Sequence, residues 1–364
     1  MNFLLRNTIL LLFLFISIGA YSAGSTEMEH VEAGKPDFNV TELIMDHLAD
    51  AYEWHITTFG HTHISIPLPV IIKGKTGNWH LFFSSRFEHG HAEYKGFYLS
   101  KEKNFKGKIV EKNASGEEIR PLDISITKNA CSLLLSSSIL IILILSCARW
   151  YKFRKDNPEQ ISPKGFIGMI EMLVMSIVDD VVKPCIGRNY RRYTPYLLTV
   201  FFFILFNNLL GIIPIFPGGA NVTGNIAITS VLAVCTFIIV NIYGTKEYWK
   251  EIFWPDVPIF LKAFPLMPMI EIIGMFIKPF ALMIRLFANI FAGHAIVMGL
   301  TCMIFLTVRM GVAINTGIGI LSVIMTVFID FVELLVAFIQ AYVFTMLSAV
   351  FIGLSQVEPH HIRN

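Results

Sequence analysis

Six ionisable residues stand in the last two apolar stretches of the chain: Glu271, Lys278, Arg285 and His294 in the first, Asp330 and Glu333 in the second. Asn289 and Gln340 accompany them as uncharged polar residues. An ionisable side chain deep in hydrocarbon costs about 2.5–3.5 kcal/mol on insertion scales, so each is a candidate for an ion pathway. Glu271, Lys278 and Arg285 recur every seven residues. On a helix that spacing closes to within about 20°, giving a nearly straight polar line that ends at Arg285. Glu271 and Lys278 lie near the stretch's beginning, where a long side chain can snorkel to the interface. Arg285 lies about 30 Å further along the helix than Pro265, where snorkelling is a poor explanation. Nine residues separate Arg285 from His294, which amounts to a half turn, so their side chains point apart.

The elements that must position these groups are membrane helices. Of 364 residues, 54% are apolar and 15% are charged, well below the roughly 25% charged of an ordinary soluble domain. A formal charge of +2 gives no support to a nucleic-acid partner. Cys131, Cys147, Cys185, Cys235 and Cys302 have no metal or redox spacing and sit in or beside apolar runs. Residues 1–23 have the layout of a cleaved secretory signal, with Arg6, an apolar centre and small residues after it.

Residues 24–128 are polar, lack cysteine and are expected to form a small α+β domain on the exported, periplasmic side. Asn39 to Glu42 can cap a helix running through Leu43, Ile44, Leu48 and Tyr52. His63 to Ile72 and Trp79 to Phe83 read as a hairpin, with Tyr94 to Leu99 and Gly107 to Val110 as further strands. Eight of the eleven histidines fall here, including His61 with His63 and His89 with His91. Such H-x-H pairs suit a metal on a strand face, but solvated surface histidines are the default reading and no metal is expected.

Residues 129–364 read as a membrane domain. The 20 residues 129–148 carry no charge, enough to cross about 30 Å of hydrocarbon. Arg149, Lys152, Arg154 and Lys155 follow, which directs this helix from outside to cytoplasm. Residues 165–183, with Glu171, Asp179 and Asp180 among apolar residues, suit an interfacial helix. A charge-free run from residue 193 to 245 is broken by Pro214, Pro217, Gly218 and Gly219, as in a hairpin of helices over about residues 195–215 and 222–243. The stretches at about 266–304 and 311–353 are long enough to be tilted spans. The expectation is an all-α polytopic protein with five transmembrane helices and one interfacial amphipathic helix, its mature N-terminus periplasmic and its tail cytoplasmic.

Arg285-Leu286-Phe287-Ala288-Asn289-Ile290-Phe291-Ala292-Gly293-His294, together with Gln340 in Phe338 to Phe344, resembles subunit a of the F-type ATP synthases. Asn207-Asn208-Leu209-Leu210-Gly211-Ile212-Ile213-Pro214 and Asn221-Val222-Thr223 resemble that family's outer hairpin, so the likeness covers roughly residues 160–353. The resemblance implies a bacterial inner-membrane stator subunit with no cofactor. Its implied partners are the c-ring, the subunit b stalk, the F1 sector indirectly, the lipid bilayer and protons. It also implies that Arg285 faces the ring and that two offset half-channels bring protons to the ring's carboxylates. A guanidinium is effectively always protonated, so Arg285 suits attracting a carboxylate and opposing proton leakage, not carrying protons. If Gln340 is level with Arg285, Glu333 lies about 10.5 Å and His294 about 13.5 Å to the same side, and the two can meet. Bacterial relatives carry the carboxylate and the histidine at the opposite members of this pair, so the chain exchanges them and keeps one of each for a relay. Asp330 either extends that path or pairs with Arg309. Asn289 and Gln340 are expected to position Arg285, while Asn207, Asn221 and Thr223 are supporting polar residues, the last two with helix capping as the alternative role.

No G-x-x-x-x-G-K-[ST] run occurs, so ATP chemistry belongs to other subunits and the chain is not an enzyme by itself. A self-contained secondary transporter is the alternative, but no internal repeat is evident. An envelope-binding protein with a helical anchor has no need of Arg285.

Overall fold

The structure, a computed structural model, describes residues 44–356 apart from 46–48, 60–61, 76, 91, 101, 103–104, 114–115, 157–162, 164, 214–217 and 254–265. The expected signal, His61, His91, the Asn39–Glu42 cap and the C-terminal tail lie outside the described residues. Two compact units result, Met1–Ser132 with Met298–Ile324, and Leu133–Val297 with Met325–Asn364.

Among the described residues of the first unit, eight short strands form three antiparallel sheets. β1 (Glu53–Phe59) pairs with β2 (Thr62–Pro67). β3 (Pro69–Lys73) lies between β4 (Trp79–Phe83) and β8 (Leu122–Asp123). β6 (Ile109–Lys112) lies between β5 (Phe97–Leu99) and β7 (Glu118–Ile119). The β3–β4 hairpin matches the sequence reading, its turn closed by the Gly74 N–H on the Asn78 carbonyl at 3.2 Å. Alternation then buries Val70, Ile72 and Phe82 with Tyr52, Phe87, Phe97 and Ile109 in one core. Two local expectations are corrected. Tyr52 is not helical but leads into β1, where Trp, Ile and two Thr favour extended backbone. The expected single strand from His63 to Ile72 divides at Leu68, between Pro67 and Pro69, because proline cannot donate to a ladder.

The remainder is helical: α1 (Lys128–Asp156), α2 (Phe166–Ser176), α3 (Lys183–Ile186), α4 (Tyr190–Ile212), α5 (Ile226–Ile242), α6 (Lys246–Phe253), α7 (Leu266–Leu306) and α8 (Val312–Ser355). A π-helical segment, Ile177–Val182, joins α2 to α3. Gly187, at φ 71°, then turns the chain into α4, a left-handed conformation that favours glycine. Four of these helical runs are long and apolar enough to cross a membrane, or five if α5 and α6, bent by 100°, form one span. The chain is a multi-pass helical membrane protein with a small N-terminal sheet region.

The second unit is held by one apolar cluster drawn from α1 to α5, α7 and α8, including Cys147, Leu197, Phe201, Leu286 and Ile352. Hydroxyls tie three of its helices: Tyr196 to Thr236 at 2.8 Å, and Thr236 to Ser348 at 3.4 Å. In lipid, where helix association gains little from apolar burial, such bonds and close packing carry more of the stability.

Candidate functional site

α7 and α8 bring His294 and Glu333 together. Nδ1 of His294 lies 3.3 Å from Oε1 of Glu333, while that oxygen has no aligned hydrogen bond. The contact is close enough for an ion pair without the N–H direction of a formed hydrogen bond. Glu333 is buried, at 6% exposure. Its carboxylate rests against the backbone of Gly293, where an added Cβ would stand 3.0 Å from Oε1 and 3.2 Å from Cδ. The glycine preceding His294 is therefore what lets α8's carboxylate approach α7.

One turn further along α8, a second bridge meets the same helix. The Asn208 amide donates to the Ala337 carbonyl at 3.3 Å, and its Oδ1 accepts from the Thr223 hydroxyl at 2.6 Å. Asn208 and Thr223 are buried; Asn208 ties α4 to α8 four residues from Glu333, and Thr223 ties the α4–α5 connection to Asn208. Asn207 faces α1 instead, accepting from Ser136 at 2.8 Å and donating to the Phe203 carbonyl at 2.8 Å. Asn221 accepts from the Gly224 N–H at 2.8 Å. The helix cap is Asn225, whose side chain accepts from Ala227, so neither Asn221 nor Thr223 caps α5. Asn208 and Gly293 stand in the runs that resemble the family without being expected site residues, since their neighbours come from distant elements.

Arg285 is on another face. It is exposed, with Ala281, Ile284, Ala288, Asn289 and Ala292 beside it, whereas Leu282, Leu286 and Ile290 point into the core. No carboxylate or hydrogen-bond acceptor among the described residues pairs with Arg285. The three alanines leave the backbone open to close approach by another helix. Asn289 is exposed and Gln340 is buried; neither hydrogen-bonds Arg285 in the described chain. Asp330 is half-buried, one helical turn before Glu333, while the side chain of its expected rival partner Arg309 lies outside the described residues.

Glu271 is exposed. Lys278 is half-buried with Nζ 5.9 Å from the Phe351 ring centroid. It lines a cleft with Thr236, Asn241, Tyr248 and Pro279, in which Oδ1 of Asn241 is buried without a hydrogen-bond partner. Lys278 and His294 thus mark polar places on opposite sides of Arg285 along α7, about 10.5 Å and 13.5 Å away by helical rise.

The family described as ATP synthase A chain matches residues 134–353. The chain belongs to that family. Among similar proteins, ATP synthase subunit a 2 of Chlorobaculum tepidum is 36% identical over 344 residues, 93% of this chain and 80% of that protein. ATP synthase subunit a of Chlorobium phaeobacteroides is 41% identical over 244 residues, covering 66% and 67%. That of Myxococcus xanthus is 40% identical over 258 residues, covering 68% and 79%. Residues 43–127, the sheet region, match a domain of unknown function (DUF8433). The matched family segment contains every polar residue of α7 and α8 discussed above.

Proposed function

We propose that this chain is the proton-translocating subunit a of the Fo sector of an ATP synthase, with Arg285 facing the c-ring. The observation that carries the reading is an exposed Arg285, without a partner among the described residues, on an alanine-edged face of an apolar helix. A permanent cation in such a place needs an anion from outside the chain. A ring carboxylate meets that need, and the guanidinium favours its ionised form, which is proton release. The same fixed charge opposes direct passage of a proton between the two sides of the ring contact.

His294 and Glu333 form the proton relay of one half-channel, with Asp330 continuing it toward the turn between α7 and α8. A proton can pass between imidazole and carboxylate at this separation after a small adjustment of ring angle. The cleft at Lys278 and Asn241 begins the second half-channel. Asn289 and Gln340 act near Arg285 as positioning residues once the ring is docked. With Arg149, Lys152 and their neighbours cytoplasmic, residues 24–128 are periplasmic, α1 runs inward, and the relay opens to the periplasm. Subunit b and, through it, F1 complete the stator; ATP chemistry is theirs, and this chain contributes no catalytic group or cofactor. The protein resides in a bacterial inner membrane. A self-contained transporter would instead satisfy Arg285 within its own fold.

Arg285→Ala tests the reading. ATP-driven proton pumping by membranes carrying the assembled complex should fall by about 10²-fold or more, as on removing a preorganised charge. Hydrolysis by the detached catalytic sector should be unchanged. Coupled pumping at the parental rate would contradict the assignment.

A further inference from the structure

The central sheet of the N-terminal unit has two apolar faces. One is the core face already described, with Val70, Ile72 and Phe82. The other carries Trp79, Leu81 and Phe83 of β4, Ile71 of β3, and Leu122 with Ile124 at the β8 edge. Except for half-buried Ile71, each of these side chains is more than half exposed. The register makes them neighbours: Ile71 pairs with Leu81, Lys73 with both Trp79 and Leu122, and the Ile124 N–H donates to the Ile71 carbonyl at 3.0 Å. An antiparallel sheet with one face in the core ordinarily turns polar side chains outward. A contiguous apolar patch in their place marks a contact with protein or membrane.

The way this sheet continues into α1 selects the membrane. Only Ser125, Ile126 and Thr127 separate Ile124 from Lys128, the first residue of a spanning helix. Four residues reach at most about 14 Å, so the β8 edge of the patch stays within that distance of the span's beginning. The connection is not slack either. The Ile126 N–H donates to the Pro69 carbonyl at 3.1 Å, the Lys128 N–H to the Ala51 carbonyl at 2.8 Å, and the Asn129 N–H to Asp50 Oδ1 at 3.1 Å. The connection is thus bonded to β3, and the helix's first turn to the residues that lead into β1. By register, Phe83 and Pro69 occupy the rung nearest the span, and Trp79 with Lys73 the rung furthest from it. The ammonium of Lys73 lies 5.7 Å from the Trp79 ring centroid. A tryptophan with a cation beside it, set beyond phenylalanine and aliphatic groups, is the composition of a surface at headgroup level.

We propose that this apolar sheet face lies in the lipid headgroup region beside the start of α1, so that the N-terminal domain is a membrane-seated module and not one held clear in water. The proposal is independent of the proton-path reading and of which side of the membrane the domain occupies.

Tryptophan quenching in the full-length chain tests it. The chain is reconstituted in phosphatidylcholine–phosphatidylglycerol vesicles with acyl chains brominated near the glycerol backbone, and compared with unbrominated vesicles. Subtracting the Trp79→Phe variant isolates the Trp79 emission, and Trp54→Phe does the same for buried Trp54. The expected result is a loss of Trp79 emission in brominated lipid, with Trp54 unaffected, and abolition of that loss by Leu81→Glu with Phe83→Glu. An unquenched, red-emitting Trp79 would show the face bare in water. An unquenched but blue-emitting one would show it covered by protein, such as a second copy. Either overturns the proposal. Should the glutamate variant unfold, seen as a shift of Trp54 emission, the Trp79 quenching in the parent decides alone.

Discussion

Two faces of α7, a half turn apart, handle charge in opposite ways. On one, His294 meets Glu333 of α8, and the carboxylate is enclosed against Gly293. On the other, Arg285 lies exposed among Ala281, Ala288 and Ala292 with no acceptor among the described residues. On the first face the charged neighbour comes from the same chain. On the second, the described residues supply none. Under the proposed function, the difference separates two tasks that a single polar cluster could not perform together: moving a proton through groups that titrate, and holding a charge that never leaves.

After the loss set out for Arg285→Ala, the largest effect that probes this contrast comes from exchanging the pair. His294→Glu or Glu333→His alone should cut ATP-driven pumping strongly, since each leaves two like groups facing one another. The double exchange should recover much of it, with a coupling of about 0.5–3 kcal/mol as for residues in contact. Additive losses in the pumping assay would show that the two act separately. Gly293→Ala should have a smaller effect. Its methyl would crowd the Glu333 carboxylate, at an overpacking cost of about 1–3 kcal/mol, and should lower pumping while leaving Arg285's face intact. A pumping rate equal to the parent's would remove the glycine from the account.

The smallest effect belongs to a partly buried polar pair in the sheet region. In the N-terminal unit the Tyr52 hydroxyl donates to Asp123, and burial first, then that carboxylate, raises the tyrosine's pKa above its ordinary value. Because the folded state holds this proton more tightly, the stability it contributes is present below about pH 10, the ordinary tyrosine value, and is lost as pH rises through the raised one. Tyr52→Phe should cost about 0.5–1.5 kcal/mol at neutral pH and flatten the alkaline fall in the domain's stability, measured by denaturation followed at Trp54. Pumping should not change. A transport defect in this variant would show that the two regions are coupled.

Much of this was legible in the residues. The run from Arg285 to His294 carries the family resemblance, and helical rise lets His294 and Glu333 meet once that resemblance sets Gln340 level with Arg285. The half-turn offset likewise separates Arg285 from the pair. What escaped reading depends on neighbours far away in the chain. Asn208 acquires its place from Ala337 and Thr223, and Gly293 from a carboxylate on the next helix. β1 escaped because an amphipathic stripe through Leu48 and Tyr52 suggested a helix just where Trp54, Ile56, Thr57 and Thr58 begin an extended segment. β7 and β8, at two residues each, are too short for alternation to register. The apolar outer face of the central sheet was in plain view as Trp79, Leu81 and Phe83, yet alternation alone does not tell which of two apolar sets is core.

The contact of Arg285's face with a neighbouring subunit is open to direct measurement. In a chain whose own cysteines are replaced, Ala288→Cys is oxidised in membranes together with a cysteine placed beside the carboxylate of the c subunit. The account predicts a disulfide-linked product for Ala288→Cys and none for Leu286→Cys, whose parent side chain is buried on the opposite side of α7. Equal yields at the two positions, or a product only at Leu286→Cys, would contradict it.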